Sequence, residues 1–367
     1  MNDFLLIILA CSTGLQLCFW LVAARKLVKH SCNSKENASN SVTVVIAARN
    51  EAKNLPQLIK SLKRQQYAGT YEVIVVNDRS TDNTLDYLQN EQKKFSQLKI
   101  ISIQELPKGW DGKKFALTKG IEQAKGEILL LTDADCFTAS NHWIQEITNT
   151  FNPKTEVVLG VGQYIAEKGF LNTFIQFETL LTATQYLSFA LTGVPYMAVG
   201  RNLAYRKASF LRVGYDSLKS QIGGDDDLMI NRLATKENTE IVWSESSQTI
   251  SNPKRTFKSW YLQKVRHLSA SKHYSGKNKF FLGTLVFSQI LFWLIFITLI
   301  IQVQHLYLVL ILFFLRIISL NLIMKLIAQK LKFDINSKLF FILDFIHTLY
   351  LVIIGVVSWF AKNTKWS

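Results

Sequence analysis

Four long apolar segments constrain this chain more than any other feature, because each is long enough to cross a lipid bilayer as a helix. They comprise residues 5–23, 280–303, 306–323 and 339–360, and the charges within them are Arg316 and Asp344. The first segment has no basic stretch before it and no small-residue cleavage site after it. This predicts a retained anchor rather than a secretory signal.

Basic residues beside these segments predict how the chain is oriented in a membrane, since cytoplasmic flanks collect Lys and Arg. They follow the first segment and precede the second, at Arg25, Lys26, Lys29, Lys272, Lys277 and Lys279. The polar middle of the chain is therefore expected to face the cytoplasm, in a multi-pass protein of the cell membrane. The number of spans stays open, because one of the last segments could be interfacial or re-entrant.

The formal net charge of +15 raises the question of a nucleic-acid partner. The basic residues are dispersed, however, and cluster most beside the apolar segments. Attraction to anionic membrane lipids explains this distribution more simply, and no nucleic-acid partner is expected. The four cysteines form no C-x-x-C pair, so neither a disulfide framework nor a zinc site is indicated.

Short apolar runs alternate with helical patterns in the polar middle region, which is typical of an α/β fold. Buried strands are predicted at residues 42–48, 72–77, 98–103, 127–132 and 156–162. Helical patterns lie between them, around residues 55–62, 82–94 and 113–125. The alternation predicts a mainly parallel sheet with helices on both faces.

Polar clusters follow three of the predicted strands, at the edge where ligands bind in such sheets. The first strand runs into Asn50 and Glu51, the second into Asp78, and the fourth into Asp133 and Asp135. Neither G-x-G-x-x-G after a strand nor G-x-x-x-x-G-K-[ST] occurs. A dinucleotide fingerprint and a Walker loop are therefore excluded.

Each of these aspartates could be the N-cap of a following helix. Asp133 and Asp135 lie one residue apart after an apolar strand, however, and such a pair is better explained as hard oxygen ligands for Mg²⁺ or Mn²⁺. Asp225, Asp226 and Asp227 precede a helical pattern, where acidic groups suit the helix dipole. Three in a row exceed what capping requires, so one is predicted to be a general base.

Two further groups of residues each allow two interpretations. Gln263 and Arg266 project from one helical face. They are either polar residues that solvate a helix beside the membrane, or they bind a diphosphate, whose geometry matches an arginine fork. Lys113 and Lys114 are either surface charge or a nucleotide contact.

Together these motifs resemble family 2 glycosyltransferases with a GT-A fold, including ceramide or hopanoid glucosyltransferase-like and polysaccharide synthase-like members. The resemblance covers about residues 42–273 and rests on VVIAARNEAKNLPQLIKSLKRQ, VIVVNDRSTDNT, LLLTDADC, VGRNLAYRK, GGDDDL and QKVRH. In the last motif His267 stands where the family usually has Trp.

The resemblance implies a role for each matching residue. A nucleotide-sugar donor would contact Ala48, Asn50, Glu51, Asp78, Lys113, Asp133, Gln263 and Arg266. Asp133 and Asp135 would hold the metal. Asp226 is the predicted base, with Asp225 as its rival. The acceptor side would include Gly200, Asn202 and His267.

The resemblance also implies an inverting, metal-dependent transfer from a nucleotide-diphosphate sugar. Flanking membrane segments favour a lipid or lipid-linked acceptor. A processive polysaccharide synthase is the alternative closest in kind. A nucleotidyltransferase and a non-catalytic nucleotide-sugar-binding membrane protein are alternatives of other classes.

The expected organisation has five parts. They are an N-terminal transmembrane helix (1–24), a linker (25–41), a GT-A catalytic domain (42–255), an amphipathic interfacial helix (256–279) and a C-terminal region of about three transmembrane helices (280–367). Because lone charges are costly in a bilayer, Arg316 and Asp344 are predicted to pair, unless either one snorkels to the interface.

Overall fold

The computed structural model describes residues 2–31, 39–221 and 223–360; residues 32–38 of the expected linker and 361–367 of the expected C-terminal region lie outside them. The strands are β1 Val42–Ala48, β2 Tyr71–Asp78, β3 Leu98–Ile103, β4 Ile128–Leu131, β5 Cys136–Thr138, β6 Val157–Leu159, β7 Gly162–Tyr164, β8 Leu203–Arg206, β9 Thr239–Ile241 and β10 Thr249–Ser251. The helices are α1 Asn2–Lys29, α2 Leu55–Lys63, α3 Thr84–Gln92, α4 Gly112–Gln123, α5 Trp143–Thr148, α6 Phe170–Leu191, α7 Lys207–Val213, α8 Asp227–Leu233, α9 Phe257–Ser271, α10 Gly276–Ile301, α11 Leu306–Lys330 and α12 Phe340–Phe360.

The polar middle region contains a seven-stranded sheet in the order β3-β2-β1-β4-β8-β6-β9. Strands β3, β2, β1 and β4 run parallel, and β8 is antiparallel to both of its neighbours. Every residue of β1 and β4 is buried, as expected for central strands covered on both faces. The predicted α/β fold with a mainly parallel sheet is thus confirmed.

The run predicted as one strand over residues 156–162 forms two short strands, β6 and β7, in different sheets. Strand β7 belongs to a three-stranded sheet with β5 and β10. The chain changes sheet at Val161, whose carbonyl accepts a hydrogen bond from the Asn202 side-chain amide at 2.7 Å. A Cβ at Gly160 would lie 2.4 Å from the Asn202 side chain, so only glycine permits this close approach.

Helices cover both faces of the large sheet, and the alternation of side chains along each strand supplies both cores. Val44 and Ile46 of β1 belong to a core with α2, α3 and α5. Val45 and Ala47 face a second core, which includes α4 and α6 and continues to Met324 of α11. The sheet and the apolar helices therefore share one continuous core rather than being joined by a linker alone.

Four helices are long and apolar enough to cross a membrane: Asp3–Lys29, Gly276–Ile301, Leu306–Lys330 and Ser337–Gly355. They correspond to the four apolar segments of the sequence. The first extends to Lys29, past the boundary at residue 24 expected from hydropathy, because the helix continues through its basic flank. Helix α9 ends at Ser271, before α10 begins at Gly276.

Arg316 and Asp344 pair inside this helix bundle, which confirms the prediction from their sequence positions. An Arg316 guanidinium nitrogen lies 2.7 Å from an Asp344 carboxylate oxygen, and the two residues are 1% and 4% exposed. The Arg316 Nε donates to Gln16 at 2.8 Å, and the Trp293 indole donates to Asp344 at 3.2 Å. The pair therefore ties α1, α10, α11 and α12 together.

We expect Arg316→Leu alone to destabilise the bundle more than the double variant Arg316→Leu/Asp344→Leu. Removing one partner leaves a buried, uncompensated carboxylate, at a cost of about 3–5 kcal/mol, whereas replacing both removes that penalty. Thermal unfolding in one detergent or nanodisc preparation measures the difference. A double variant that unfolds at a lower temperature than the single variant would contradict this account.

Candidate active site

The turns after β1 and β2 are bound to each other at the carboxyl edge of the large sheet. Asn50 has a positive φ of 56°, and its side-chain oxygen accepts a hydrogen bond from the Thr81 backbone N–H at 2.8 Å. The Glu51 backbone N–H donates to Thr84 Oγ1 at 2.9 Å. These contacts aim Glu51 into a cavity of about 1050 Å³ beside the sheet edge.

Most of the predicted site residues line this one cavity, although they come from distant parts of the chain. They are Glu51, Lys113, Asp133, Asp135, Gly200, Asp225, Asp226, Gln263, Arg266 and His267. Ala48 and Asp78 end strands β1 and β2, Asn50 lies in the turn after β1, and the three residues are outside the cavity lining. Asp78 is fully buried, and its carboxylate accepts two hydrogen bonds from Arg79, at 2.7 and 2.8 Å.

Asn202 is placed differently from the acceptor-side position expected for it. The side chain is fully buried, and its amide donates to the carbonyls of Val161 and Ser247 at 2.7 and 2.8 Å. Its oxygen accepts from the Trp143 indole at 3.1 Å. Asn202 therefore holds the junction between the two sheets and does not face the cavity.

Asp133 and Asp135 follow β4 and lead into strand β5, so neither begins a helix and neither is an N-cap. Ligand atoms of Asp133, Asp135 and Cys136 lie within 4.8 Å of one another. Burial and the neighbouring Asp133 charge raise the pKa of Asp135. Burial also raises the pKa of Glu51, with Asp135 and Asp133 adding to the effect. This crowding of carboxylates would be relieved by a bound cation.

The donor set fits a hard divalent ion such as Mg²⁺ or Mn²⁺, because carboxylate oxygens are the ligands such ions prefer. The Cys136 thiol is not suited to that role. Its sulfur lies 3.0 Å from Ser251 Oγ, and burial raises its pKa well above the usual value, so the thiol stays protonated. Asp133 and Asp135 are thus the residues that would hold the metal.

Lys113, in the first turn of α4, lies between carboxylates from two sides of the cavity. Its ammonium is 2.8 Å from Asp133 and 3.0 Å from Asp225. Burial alone would lower its pKa, but Asp133, Asp225 and Asp226 raise it well above the ordinary value. Lys113 is therefore a fixed cation of the site.

Lys114 is not surface charge either, since it is fully buried. Its ammonium donates to the carbonyl oxygens of Gln221 and Gly223, each at 2.5 Å. Gly223 and Gly224 have φ values of 72° and 67°, which suit glycine. Lys114 thus holds the loop that delivers the three aspartates.

The three consecutive aspartates occupy three different environments. Burial would raise the pKa of Asp225, but Lys113 and Lys114 lower it overall. Asp226 accepts hydrogen bonds from the backbone N–H groups of Gly200 and Asp227 at 2.6 and 2.8 Å. Burial and the Asp225 charge raise its pKa to about 6.

Asp227, by contrast, is held by Tyr274, which lies between α9 and α10. Its carboxyl accepts a hydrogen bond from the Tyr274 hydroxyl at 2.6 Å. Burial, and then the charge of Asp226, raise its pKa well above the usual value. Among the three aspartates, Asp226 is the one that lines the cavity with a pKa raised to about 6, and such a pKa suits a general base.

Arg201 and Tyr164 are cavity residues that the sequence did not single out. The Arg201 guanidinium stacks 4.3 Å from the Tyr164 ring centroid and donates to the Gly162 carbonyl at 2.9 Å. The Tyr164 hydroxyl lies 3.4 Å from the Gln263 amide nitrogen. Arg201 lies in the segment VGRNLAYRK, but its contacts Gly162 and Tyr164 come from β7, which no local pattern links to it.

Comparison with known proteins agrees with this geometry. A family model described as "Glycosyl transferase family 2" matches residues 43–214. The match covers a family 2 glycosyltransferase domain in just under half of the chain. A solved mannosyltransferase, PcManGT from Pyrobaculum calidifontis in complex with GDP-Man and Mn²⁺, shares the fold at a TM-score of 0.62 and 15% identity, covering 95% of this chain and 99% of that one. The α/β domain thus has the GT-A fold.

Two curated relatives match parts of the chain. A probable glycosyltransferase, YdaM of Bacillus subtilis, is 26% identical over 67% of this chain and 58% of its own length. A beta-monoglucosyldiacylglycerol synthase of Nostoc is 35% identical over 27% of this chain and 21% of its own length. The chain therefore spans between about a fifth and three fifths of the length of these relatives.

We expect Mn²⁺ to raise the unfolding temperature of the protein, and Asp135→Asn to remove most of that rise, because a ligand that binds only the native state stabilises it. Cys136→Ser should keep the rise, since the thiol is not a ligand. Asp216→Asn, an exposed aspartate elsewhere in the domain, is the matched control. Loss of the Mn²⁺ effect in Cys136→Ser but not in Asp135→Asn would contradict the assignment.

Proposed function

We propose that this protein is an inverting, metal-dependent glycosyltransferase that moves a sugar from a nucleotide-diphosphate sugar to a lipid at the cytoplasmic face of the membrane. One observation carries the proposal. The cavity lined by Asp133, Asp135 and Asp226 continues among the four apolar helices, where it is also lined by Gln16, Gln289, Arg316 and Asp344. A lipid acceptor and a soluble donor can thus bind side by side in one cavity.

The donor end of the cavity supplies the groups that bind and orient a nucleotide diphosphate. Arg266 and Gln263 lie one helical turn apart on α9 and line the cavity. An arginine fork matches the geometry of diphosphate oxygens. A divalent ion held by Asp133 and Asp135 would neutralise the charge that develops on the leaving diphosphate. Glu51, Asn50, Ala48 and Asp78 remain the predicted contacts to the nucleoside.

Asp226 is the proposed general base. The N–H groups of Gly200 and Asp227 fix its carboxylate, and a Cβ at position 200 would lie 3.1 Å from its oxygen. The acceptor oxygen attacks the anomeric carbon while its proton passes to Asp226 and the bond to the diphosphate breaks. One displacement inverts the anomeric centre. Asp225 is less suited, because Lys113 and Lys114 lower its pKa and so make its carboxylate a weaker base.

The membrane topology is part of the same proposal. Basic residues flank the apolar helices on the side that carries the domain, which supports a cytoplasmic orientation. The name of the Nostoc relative refers to a glycosylated diacylglycerol, which supports a lipid acceptor. We infer that the acceptor enters laterally from the membrane.

Membranes containing the protein should transfer label from one member of a panel of radiolabelled nucleotide sugars into the lipid extract. EDTA should abolish the transfer, and added Mn²⁺ or Mg²⁺ should restore it, because the carboxylates that hold the metal would otherwise repel the diphosphate. Membranes lacking the protein are the control. Label that appears only in water-soluble product would contradict a lipid acceptor.

We expect Asp226→Asn to lower kcat by about 10²–10⁴-fold, the usual contribution of a general base, while donor binding is kept. In the unsubstituted protein kcat should fall as the pH drops through about 6, because the raised pKa of Asp226 means that its carboxylate becomes protonated there. Donor affinity and a pH profile of initial rates measure both effects. An Asp226→Asn variant of normal rate, with Asp225→Asn inactive, would move the role to Asp225.

A further inference from the structure

Arg201 lines the cavity as a cation that is held by uncharged groups. Its guanidinium stacks on the Tyr164 ring, and its Nη2 donates a hydrogen bond to the Gly162 carbonyl. Its Nε is buried without a hydrogen-bond partner. An aromatic face and one carbonyl oxygen compensate only part of a guanidinium charge. Arg201 is therefore suited to bind an anionic group of a ligand.

Other cations that line the cavity differ from Arg201 in this respect. Lys113, Lys264 and Arg316 each form an ion pair with a carboxylate. Among the residues that the structure describes, no carboxylate oxygen lies within 4 Å of the Arg201 guanidinium. An anionic ligand at Arg201 would thus not have to displace an acidic side chain.

The three-stranded sheet places Arg201 opposite the candidate metal ligands. Tyr164 of β7 is in register with Ser251 of β10, and Ser251 is in register with Cys136 of β5, which directly follows Asp135. Neighbouring strands are about 5 Å apart, so the row from Tyr164 to Cys136 measures about 10 Å. Arg201 lies over one end of this row, and Asp135 lies beside the other end.

Helix α9 approaches the same row. The Gln263 amide nitrogen lies 3.4 Å from the Tyr164 hydroxyl, and Arg266, one helical turn further along, lines the cavity. Arg201 and Arg266 therefore come from different elements to the space beside the candidate metal ligands. A diphosphate has two phosphate groups, and arginine matches the oxygen atoms of each.

The position of Arg201 in the chain indicates which of the two phosphates it reaches. The preceding residue, Gly200, donates its backbone N–H to the proposed base Asp226 at 2.6 Å. The Arg201 side chain thus starts beside the reaction centre. The predicted nucleoside contacts Asn50 and Asp78, by contrast, are outside the cavity lining. Arg201 is therefore placed for the phosphate that carries the sugar.

We propose that Arg201 is a second arginine of the donor site and binds the sugar-bearing phosphate of the nucleotide diphosphate. Stacking on Tyr164 fixes the plane of the guanidinium. When the bond between the anomeric carbon and the phosphate oxygen breaks, its electron pair stays on that oxygen, and Arg201 stabilises the charge that develops there. This inference rests on the proposed glycosyl transfer and adds a residue that acts on the leaving group.

The first test measures nucleotide binding to the full-length protein in nanodiscs with Mn²⁺. ADP, CDP, GDP, UDP and dTDP are screened for a rise in the unfolding temperature, and the best of them is titrated. Arg201→Gln should weaken its Kd about tenfold or more, the effect of one lost charge-assisted hydrogen bond. The Kd of the corresponding nucleoside monophosphate should stay nearly unchanged, because that molecule lacks the second phosphate.

Two further variants accompany this titration. Arg201→Lys should give an intermediate Kd for the diphosphate, since it keeps the charge but not the planar fork. Arg212→Gln is the matched control, because Arg212 is an exposed arginine that pairs with Glu156 on the surface. The unfolding temperature of each variant without nucleotide separates lost binding from misfolding. If Arg201→Gln fails to fold, Arg201→Lys carries the same comparison of diphosphate with monophosphate.

The second test measures turnover with native membrane lipids as acceptors. Arg201→Gln should lower kcat about 10²-fold, because the contact becomes stronger as charge develops on the leaving phosphate. The acceptor KM should stay nearly unchanged, and Arg212→Gln should behave like the unsubstituted protein.

Three results would overturn the role of Arg201. One is a folded Arg201→Gln variant with unchanged diphosphate Kd and kcat. Another is an equal loss of monophosphate and diphosphate affinity, which would indicate that Arg201 only supports the sheet at Gly162 and Tyr164. The third is a raised acceptor KM with an unchanged diphosphate Kd, which would place Arg201 on the acceptor. If no diphosphate binds the unsubstituted protein, the proposed function itself fails.

Discussion

The ammonium of Lys113 is the contact on which the arrangement of the site depends. It lies between Asp133, which follows the central strand β4, and Asp225, which precedes α8. Carboxylates gathered this closely repel one another unless a cation lies among them. Lys113 supplies one fixed positive charge, and the remaining acidic groups, Asp135 and Glu51, create the demand for a divalent ion. The electrostatics of the cavity thus follow from where β4 ends and where α4 and α8 begin.

The same principle acts a second time among the apolar helices. Arg316 and Asp344 neutralise each other there and bind Gln16 and Trp293, so that one charge pair joins four helices. The sheet domain is attached to this bundle through a shared core rather than through flexible chain. A cavity lined both by carboxylates of the sheet edge and by side chains of the apolar helices results from this union of a sheet edge with a helix bundle.

Much of the fold could be predicted from the sequence because the relevant patterns are local. Buried strands such as Val42–Ala48 are continuous apolar runs, and the four apolar helices are evident from length and charge alone. The three-stranded sheet could not be predicted in this way. Its strands have three residues each, too few for any periodicity, and the split at Val161 depends on a hydrogen bond from the distant Asn202.

Among the candidate site residues, those that follow strands or lie in acidic clusters were predictable. The contacts of Lys113 and Lys114 could not be predicted, because the sequence does not distinguish a buried lysine from an exposed one. The burial of Asn202 and the stacking of Arg201 on Tyr164 likewise arise only from tertiary contacts. The different environments of Asp225, Asp226 and Asp227 depend on Lys113, Gly200 and Tyr274, which come from separate elements.

The most direct measurement is a structure of the full-length protein in nanodiscs, determined with Mn²⁺, a non-hydrolysable nucleotide sugar and native membrane lipids. This account predicts an ion bound by Asp133 and Asp135, an anomeric carbon facing Asp226, and lipid density inside the cavity between α1, α6 and α10. A donor bound away from these aspartates, or a lipid held only on the outer surface of the helices, would contradict it.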